Sequence, residues 1–130
     1  MKVCNLPLVS VIMNCYNGER FLKESIDSVY SQTYSNWEIV FWDNASIDNS
    51  ALIAKSYDRK IHYVLADKTT TLGKARGLAI KEASGKYIVF LDCDDIYLPK
   101  KIEKQVSFME SNEYSMCYAS AVIIDEKGKE

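Results

Sequence analysis

Five segments of the chain are rich in apolar and β-branched residues, and each has the length of a β-strand. They are residues 8–15, 37–43, 61–65, 86–92 and 115–125. The first is an almost continuous apolar run, which is typical of a strand buried on both faces of a parallel sheet.

The four segments between these strands carry apolar residues at the spacing of an amphipathic helix. Strand and helix therefore alternate along the chain, which predicts an α/β fold with a mostly parallel sheet and helices on both faces. The predicted helix boundaries are Asn17 and Ser46 as N-caps, Gly85 after the third helix and Pro99 at the start of the fourth.

The last predicted strand leads to a sequence that is typical of a hairpin turn. Asp125 is followed by Glu126, Lys127 and Gly128, but no return strand follows. We therefore expect residues 1–130 to form one part of a larger fold.

Length and charge exclude several classes of protein. The 130 residues are enough for one domain with a buried core. The formal net charge is -2 and no Lys/Arg-rich run suggests a polybasic patch, which argues against a nucleic-acid surface or membrane binding through such a patch. Lys2 precedes a short mixed stretch unlike a signal peptide, and no apolar run approaches the roughly 20 residues of a membrane span. We expect a soluble, cytoplasmic protein.

The cysteines do not form a metal-binding pattern. The chain has four cysteines and one histidine, and no CxxC pair, which argues against structural zinc. Three of the four lie in or beside predicted buried strands, as expected of reduced thiols in a cytosolic protein. The four cysteines are Cys4, Cys15, Cys93 and Cys117.

Three carboxylates follow the fourth predicted strand directly. Asp92, Asp94 and Asp95 surround Cys93, and crowded like charges raise each other's pKa values unless a positive charge lies nearby. Mg²⁺ or Mn²⁺ would supply that charge, since such ions use one or two carboxylates together with substrate phosphates. Alternation along an extended chain would point Asp92 and Asp94 to one side and Cys93 to the other. One acid would explain a helix cap, but three favour a metal site.

Other polar residues follow the predicted strands at the same edge. Ligands of open parallel sheets bind there, at the point where the strand order reverses. Taken singly, each residue has an ordinary structural explanation, such as turn chemistry for Asp43 or a solvated helix face for Arg76. Together they predict a ligand site built from Tyr16, Asn17, Asp43, Asn44, Lys74, Arg76 and the acid cluster.

Two stretches of the chain resemble the nucleotide-sugar-binding half of the family 2 glycosyltransferases, which have the Rossmann-like GT-A fold. They are VSVIMNCYNGERFLKESIDSVYSQTYSNWEIVFWDNASIDNS and GKARGLAIKEASGKYIVFLDCDD, in that order and spacing. The resemblance runs from about Leu8 to the end of the chain. It implies that Tyr16 and Asn17 lie at the nucleotide. It also implies that Asp43, followed by Asn44, hydrogen-bonds the base, which is often uracil.

The D-x-D signature of that family is matched by Asp92-Cys93-Asp94. The resemblance implies that Asp92 lies near the ribose. It also implies that Asp94, with Asp92, holds Mn²⁺ or Mg²⁺ at the diphosphate. The usual A-R-N-x-G segment appears as residues 75–79, which keep Arg76 but lack the Asn and the Gly. This departure weakens the case for other nucleotide contacts from the third helix.

The resemblance also implies an activity. It is inverting transfer of a sugar from a nucleotide diphosphate sugar, such as a UDP-sugar, to a hydroxyl of a glycan or lipid-linked glycan acceptor. Bacterial polysaccharide or glycoconjugate synthesis is the setting that the family suggests, with peripheral membrane association of the full-length protein. The general base is expected beyond residue 130, so this chain alone should transfer sugar poorly or not at all. An uncovered sheet edge would also allow pairing with a second copy.

Two alternatives are open at this point. A receiver-type phospho-acceptor domain has similar length and an Mg²⁺-binding acid cluster, with Asp67 as the candidate acceptor, but it needs an acidic pair where this chain has residues 15–17. A nucleotide-binding domain without catalysis is the other alternative. The retained carboxylates argue against it, because unpaired buried charge is costly.

Overall fold

The computed structural model describes residues 6–129, which form a four-stranded sheet flanked by four helices. The predicted features at Lys2 and Cys4 lie outside the described residues. The strands are β1 (Val9–Cys15), β2 (Trp37–Asp43), β3 (Ile61–Leu65) and β4 (Tyr87–Phe90). The helices are α1 (Leu22–Tyr30), α2 (Ser50–Lys55), α3 (Leu72–Lys81) and α4 (Lys101–Glu110).

All strand pairs are parallel, in the order β3-β2-β1-β4. The chain runs outward from β1 to β3 and then returns to the other side of β1 for β4, so the strand order reverses between β1 and β4. Such a reversal places helices on opposite faces, because parallel crossovers are right-handed. The predicted α/β class, with a parallel sheet covered on both faces, is confirmed.

Two apolar clusters hold these layers together. The larger one packs alternate residues of β1 and β2 against α1, α2 and α4, and the smaller one packs the opposite face against α3. Every residue of β1 is buried, as its continuous apolar run predicts. The small side chains Ala75 and Ala79 let α3 approach the sheet closely, and both are 0% exposed.

A polar network fixes where β4 begins. The Gly85 N–H donates to Ser10 Oγ at 2.8 Å, and Ser10 Oγ donates to Glu38 Oε1 at 2.6 Å. A Cβ on Gly85 would lie 2.6 Å from Ser10 N, so only glycine fits this approach. The predicted role of Gly85 in ending α3 is wrong, because the helix already ends at Lys81. Gly85 instead sets the position of β4, and thus of the acids that follow it.

The predicted N-caps are also wrong. α1 begins at Leu22 and α2 at Ser50, and neither Asn17 nor Ser46 caps its helix. Their side chains bond to each other's loops, as described below. Pro99 lies just before α4 rather than inside its first turn, since α4 begins at Lys101.

The predicted fifth strand does not form. Within residues 6–129 no strand pairs with residues 115–125, and Tyr118 and Ile123 are 93% and 92% exposed. A strand requires a neighbour for its backbone hydrogen bonds, and apolar composition alone does not provide one. The turn after it does form, because the Gly128 N–H donates to Asp125 O at 2.9 Å.

None of the described helices has more than ten residues. Over residues 6–129, no helix combines the length and the apolar character needed to cross a membrane. The longest of them are α3 and α4. Helix α3 packs against the sheet through Ala75 and Ala79, and α4 packs through Ile102 and Val106.

Candidate functional site

The carboxyl ends of β1, β2 and β4 meet at one edge of the sheet, and the predicted site residues lie there. Tyr16 and Asn17 follow β1, Asp43 and Asn44 end β2, and Asp92 follows β4. Arg76 reaches this edge from α3, where it pairs with Asp92. The edge includes the strand-order reversal between β1 and β4, which is where open α/β sheets bind ligands.

The loops after β1 and β2 lock together. The Asn17 N–H donates to Ser46 Oγ at 3.0 Å, and the Ile47 N–H donates to Asn17 Oδ1 at 2.9 Å. Asn17 and Ala45 have positive backbone φ values of 54° and 64°. Such values are uncommon for residues other than glycine, and here the surrounding contacts hold them. The ring of Tyr16 stays 52% exposed beside this lock, so it is available to a ligand.

Asp43 organises the end of β2 from inside the protein. Its residue is 0% exposed. The Ser46 N–H donates to Oδ1 at 2.8 Å, and the Tyr63 hydroxyl donates to Oδ2 at 2.6 Å. Burial raises the pKa of Tyr63, and its hydrogen bond to Asp43 raises it further. Both carboxylate oxygens are therefore used to hold the loop.

Asn44 fastens the same loop to the segment before α3. Its Nδ2 donates to Thr70 O at 2.8 Å, and its Oδ1 accepts from the Thr70 N–H at 3.1 Å. This side chain, like that of Asp43, positions the site edge. Tyr63 and Thr70 are the residues that sequence reasoning missed, because each lies about 20 to 26 residues from its partner.

The acid cluster separates into one paired carboxylate and two open ones. Arg76 Nη2 donates to Asp92 Oδ1 at 2.5 Å, and its guanidinium lies 5.7 Å from the Phe90 ring centroid. Within residues 6–129, Asp94 and Asp95 have no cationic partner, and both are exposed. Partial desolvation in the turn raises the pKa of Asp95, and the Asp94 and Asp92 carboxylates add to that shift. Arg76 therefore supplies part of the positive charge that the sequence analysis predicted beside these three acids.

The turn after β4 differs from the extended geometry used in the prediction. β4 ends at Phe90, and the Asp95 N–H donates to Asp92 O at 3.1 Å, which closes a turn. Alternation therefore holds only as far as Asp92, which contacts α3, and Cys93, which lies against Cys15 on the other side.

The described residues contain no complete metal cage. In residues 6–129, no three or more His, Cys, Asp or Glu side chains lie close enough to hold an ion. A hard divalent ion needs only one or two carboxylates when phosphates and water complete its shell. Asp94 is exposed and unpaired with a cation, and Asp92 lies two residues away. This donor set fits an ion that arrives with a phosphorylated ligand.

A strip of buried polar groups lies on the α3 face near the Arg76–Asp92 pair. Asn14 and Trp42 are neighbours in the β1–β2 register. Across the described part of the chain, the Asn14 amide, the Trp42 indole N–H and Arg76 Nε have no hydrogen-bond partner. Most buried polar groups have one, so this face of the sheet is unusually polar at its carboxyl end.

Two thiols meet beneath the β1–α1 loop. A Cβ on Gly18 would lie 2.8 Å from both Cys15 Sγ and Cys93 Sγ. A hydrogen bond from the Cys93 thiol lowers the pKa of Cys15 to about 7, and the pKa of Cys93 is raised by that pairing and by burial. Cys15, Cys93 and Cys117 are free thiols in the structure. The sequence pattern did not predict that Cys15 and Cys93 lie side by side.

The fold and the site edge define an α/β domain of the kind that binds a phosphorylated ligand at the carboxyl ends of its strands. The profile of the family described as Glycosyl transferase family 2 matches residues 10–130. The chain therefore belongs to glycosyl transferase family 2, as the sequence motifs predicted.

Curated relatives and solved structures agree with this assignment. The chain is 40% identical over 119 residues to the Escherichia coli UDP-Glc:alpha-D-GlcNAc-diphosphoundecaprenol beta-1,3-glucosyltransferase WfgD, covering 91% of this chain and 47% of that protein. It is 40% identical over 128 residues to the glycosyltransferase MJ1057 of Methanocaldococcus jannaschii, covering 94% of this chain and 44% of that protein. The chain thus spans about half the length of these relatives.

Two solved structures share the fold. S. aureus TarS 1-349 in complex with UDP-GlcNAc superimposes with a TM-score of 0.77 and 26% identity, over 81% of this chain and 32% of that one. The mannosyltransferase PcManGT from Pyrobaculum calidifontis, in complex with GDP-Man and Mn²⁺, gives a TM-score of 0.67 and 25% identity, over 72% and 29% of the two chains. These neighbours share the GT-A fold predicted from the motifs.

Proposed function

We propose that this chain is the donor-binding part of an inverting glycosyltransferase that uses a nucleotide diphosphate sugar, with UDP as the nucleotide. The observation that carries the proposal is the exposed Asp94 carboxylate, which lies at the strand-order reversal and has no cationic partner among residues 6–129. Tyr16 stands half exposed at the same edge. The binding of UDP-GlcNAc by TarS, which has the same fold, supports this choice of ligand.

Each site residue has a proposed role. The Tyr16 ring stacks on the base or lines its pocket, while Asn17, Asp43 and Asn44 hold that edge in place through the loop contacts described above. Asp92 faces the ribose, and its partner Arg76 balances its charge and lies near the diphosphate. Asp43 is fully buried, so we assign it a positioning role beneath the base rather than a direct contact.

Asp94, with Asp92, would hold Mn²⁺ or Mg²⁺. When bound, such an ion neutralises the charge that develops on the departing nucleoside diphosphate. The Mn²⁺ in the PcManGT complex supports this choice of cofactor. The chain itself contributes carboxylate ligands, orients the nucleotide and offers Arg76 as a second positive group.

Transfer requires an acceptor hydroxyl and a base to deprotonate it. General-base assistance typically contributes about 10²–10⁴ in rate, and we place the base and the acceptor site in the part of a full-length protein that follows residue 130. A glycan or lipid-linked glycan is the proposed acceptor. The name of the WfgD relative, which includes a diphosphoundecaprenol acceptor, supports this choice. We also propose a cytoplasmic location, with a role in polysaccharide or glycoconjugate synthesis.

The receiver-domain alternative receives no support from the family match or from the solved relatives. β1 ends in Cys15 and is followed by Tyr16 and Asn17, with no acidic pair. A nucleotide-binding domain without turnover would share the binding properties proposed here, and an assay of sugar transfer by a full-length protein would separate the two.

Calorimetry with UDP, with and without Mn²⁺, tests the proposal. We expect metal-dependent heat from the parent chain and a loss of affinity of at least about tenfold in Asp94→Ala, because one charge-assisted contact contributes roughly 1.5–3 kcal/mol. Asp67→Ala is the matched control, since it also removes an exposed acid, in this case from the loop after β3. If Asp94→Ala and Asp67→Ala bind UDP–Mn²⁺ equally well, the proposed site is wrong.

A further inference from the structure

The two thiols beneath the β1–α1 loop stand opposite each other across the strand-order reversal. β1 and β4 pair Val9 with Tyr87 and Ile12 with Phe90. Cys15 ends β1, and Cys93 lies in the turn that follows β4 beside it. Both sulfurs lie 2.8 Å from the same point, the Cβ position of Gly18. A larger residue at position 18 would therefore collide with both sulfurs.

This arrangement favours a disulfide. Both sulfurs lie 2.8 Å from one point, so they are no more than twice that distance apart, and a movement of the turn can bring them to bonding distance. Cys15 is 2% exposed, whereas Cys93 is partly exposed, so Cys93 is the side of the pair that faces a small oxidant in solution.

The position of the pair connects it to the donor site. Cys93 lies between Asp92 and Asp94, and Cys15 immediately precedes Tyr16. A covalent bond here would tie the acid-bearing turn to the end of β1. Cys117, in contrast, is near Gln105 of α4, whose Nε2 lies 3.6 Å from its sulfur.

We propose that Cys15 and Cys93 form a reversible disulfide when the protein meets a peroxide, and that this bond weakens donor binding at the adjacent carboxylates. The disulfide itself stands on the geometry of the thiols, whereas its effect on the donor rests on the proposed function.

The chemistry balances with hydrogen peroxide as the oxidant. Cys15, the more acidic thiol, attacks one peroxide oxygen as its thiolate; the O–O bond breaks and hydroxide leaves, which gives a sulfenic acid. Cys93 Sγ then attacks the sulfenic sulfur, the S–O bond breaks, and water leaves with the Cys93 proton. Two thiols lose two electrons in total, and the peroxide is reduced to water.

The short sulfur–sulfur bond of a Cys15–Cys93 disulfide would move the turn that carries the acids. A disulfide brings its sulfurs to about 2.05 Å, which is much closer than a thiol–thiol hydrogen bond. The turn carrying Asp92 and Asp94 must then shift toward β1, against the Gly18 backbone. Displacements of about 1 Å can cost up to about a hundredfold when contacts are geometrically demanding. We expect UDP–Mn²⁺ affinity to fall by at least about tenfold on oxidation.

The experiment uses a C4S/C117S background, in which only the pair remains. The protein is treated with hydrogen peroxide, digested without reduction and mapped by mass spectrometry, and UDP–Mn²⁺ affinity is measured before oxidation, after it and after dithiothreitol. We expect a linked Cys15–Cys93 peptide pair, the stated loss of affinity and full recovery on reduction. When Cys93→Ser is added to the same background, treatment with hydrogen peroxide should cause no loss of UDP–Mn²⁺ affinity.

Several outcomes would overturn the proposal. Absence of the Cys15–Cys93 link, or over-oxidation of Cys15 to a sulfinic acid in its place, removes the disulfide. The effect on the donor is refuted if the disulfide forms and UDP–Mn²⁺ affinity does not change. It is also refuted if oxidation weakens UDP–Mn²⁺ binding by the Cys93→Ser protein as much as by the protein with both thiols. If the reduced protein does not bind UDP–Mn²⁺, the proposed function and the switch fail together, while peptide mapping still decides whether the disulfide forms.

Discussion

Gly85→Ala should move the strand that delivers the acids. The new Cβ would lie 2.6 Å from Ser10 N, 2.7 Å from Ser10 Oγ and 2.9 Å from Leu8 O. Comfortable contacts of carbon with its neighbours begin at about 3.5 Å, so the start of β4 must retreat by most of an ångström. That movement stretches the hydrogen bond from Gly85 N–H to Ser10 Oγ, now 2.8 Å long.

The free-energy cost can be worked out from these contacts. Overpacking against backbone typically costs about 1–3 kcal/mol, and the loss of one hydrogen bond adds about 0.5–1.5 kcal/mol. Alanine lowers the entropy of the unfolded chain, which offsets about 0.4–1 kcal/mol. We expect a net loss of about 2 kcal/mol in the free energy of unfolding, or roughly a thirtyfold change in the folding equilibrium.

Urea denaturation followed by circular dichroism measures this change, with Gly77→Ala as the matched control. Gly77 lies inside α3, and its Cβ position has no neighbour within 4 Å. Alanine there should stabilise the protein by about 0.5–1 kcal/mol. The reasoning is refuted if Gly85→Ala is as stable as Gly77→Ala, since both replacements are chemically identical and only the steric contacts differ.

Two further predictions compare Tyr→Phe replacements. Tyr63→Phe removes the hydroxyl that donates to the buried Asp43 carboxylate. We expect a loss of about 1–3 kcal/mol in the free energy of unfolding and weaker UDP binding. If both the stability and the UDP affinity are unchanged, the positioning role of Asp43 is contradicted. Tyr57→Phe removes a 2.7 Å hydrogen bond to the less buried Asp27 and should cost about 0.5–1.5 kcal/mol at neutral pH, without effect on UDP. Hydrogen bonds from Lys23 and then Tyr57 lower the pKa of Asp27. Their stabilisation is present above the ordinary pKa of about 3.9 and is lost as the pH falls through the lowered value. The difference between Tyr57→Phe and the parent should therefore shrink in acid, and urea titrations at neutral and acidic pH check this.

The periodicity of the sequence determined the arrangement of the sheet. A continuous apolar run such as β1 can be stable only with both faces covered, and alternating strands and helices leave a parallel sheet as the solution. The edge at which Tyr16, Asp43 and Asp92 meet then follows, because the carboxyl ends of parallel strands lie together. Family motifs added the expected ligand, which no periodicity could supply.

Helix caps and the last strand depended on partners distant in the sequence. Asn17 and Ser46 have the right chemistry for local caps, but each found a backbone group about 30 residues away. Residues 115–125 have strand composition, yet within residues 6–129 no neighbouring strand pairs with them. Local rules cannot rank a nearby backbone group against one that only folding brings close.

The internal organisation of the site was decided by tertiary structure alone. The sequence shows three acids after a strand, but packing of α3 is what pairs Arg76 with Asp92 and leaves Asp94 open. The turn after β4 likewise brings Cys93 to Cys15. The sequence by itself thus determined which chemical groups reach the edge of the sheet. Their pairing depended on distances between separate elements, which are defined only once the helices and strands have packed.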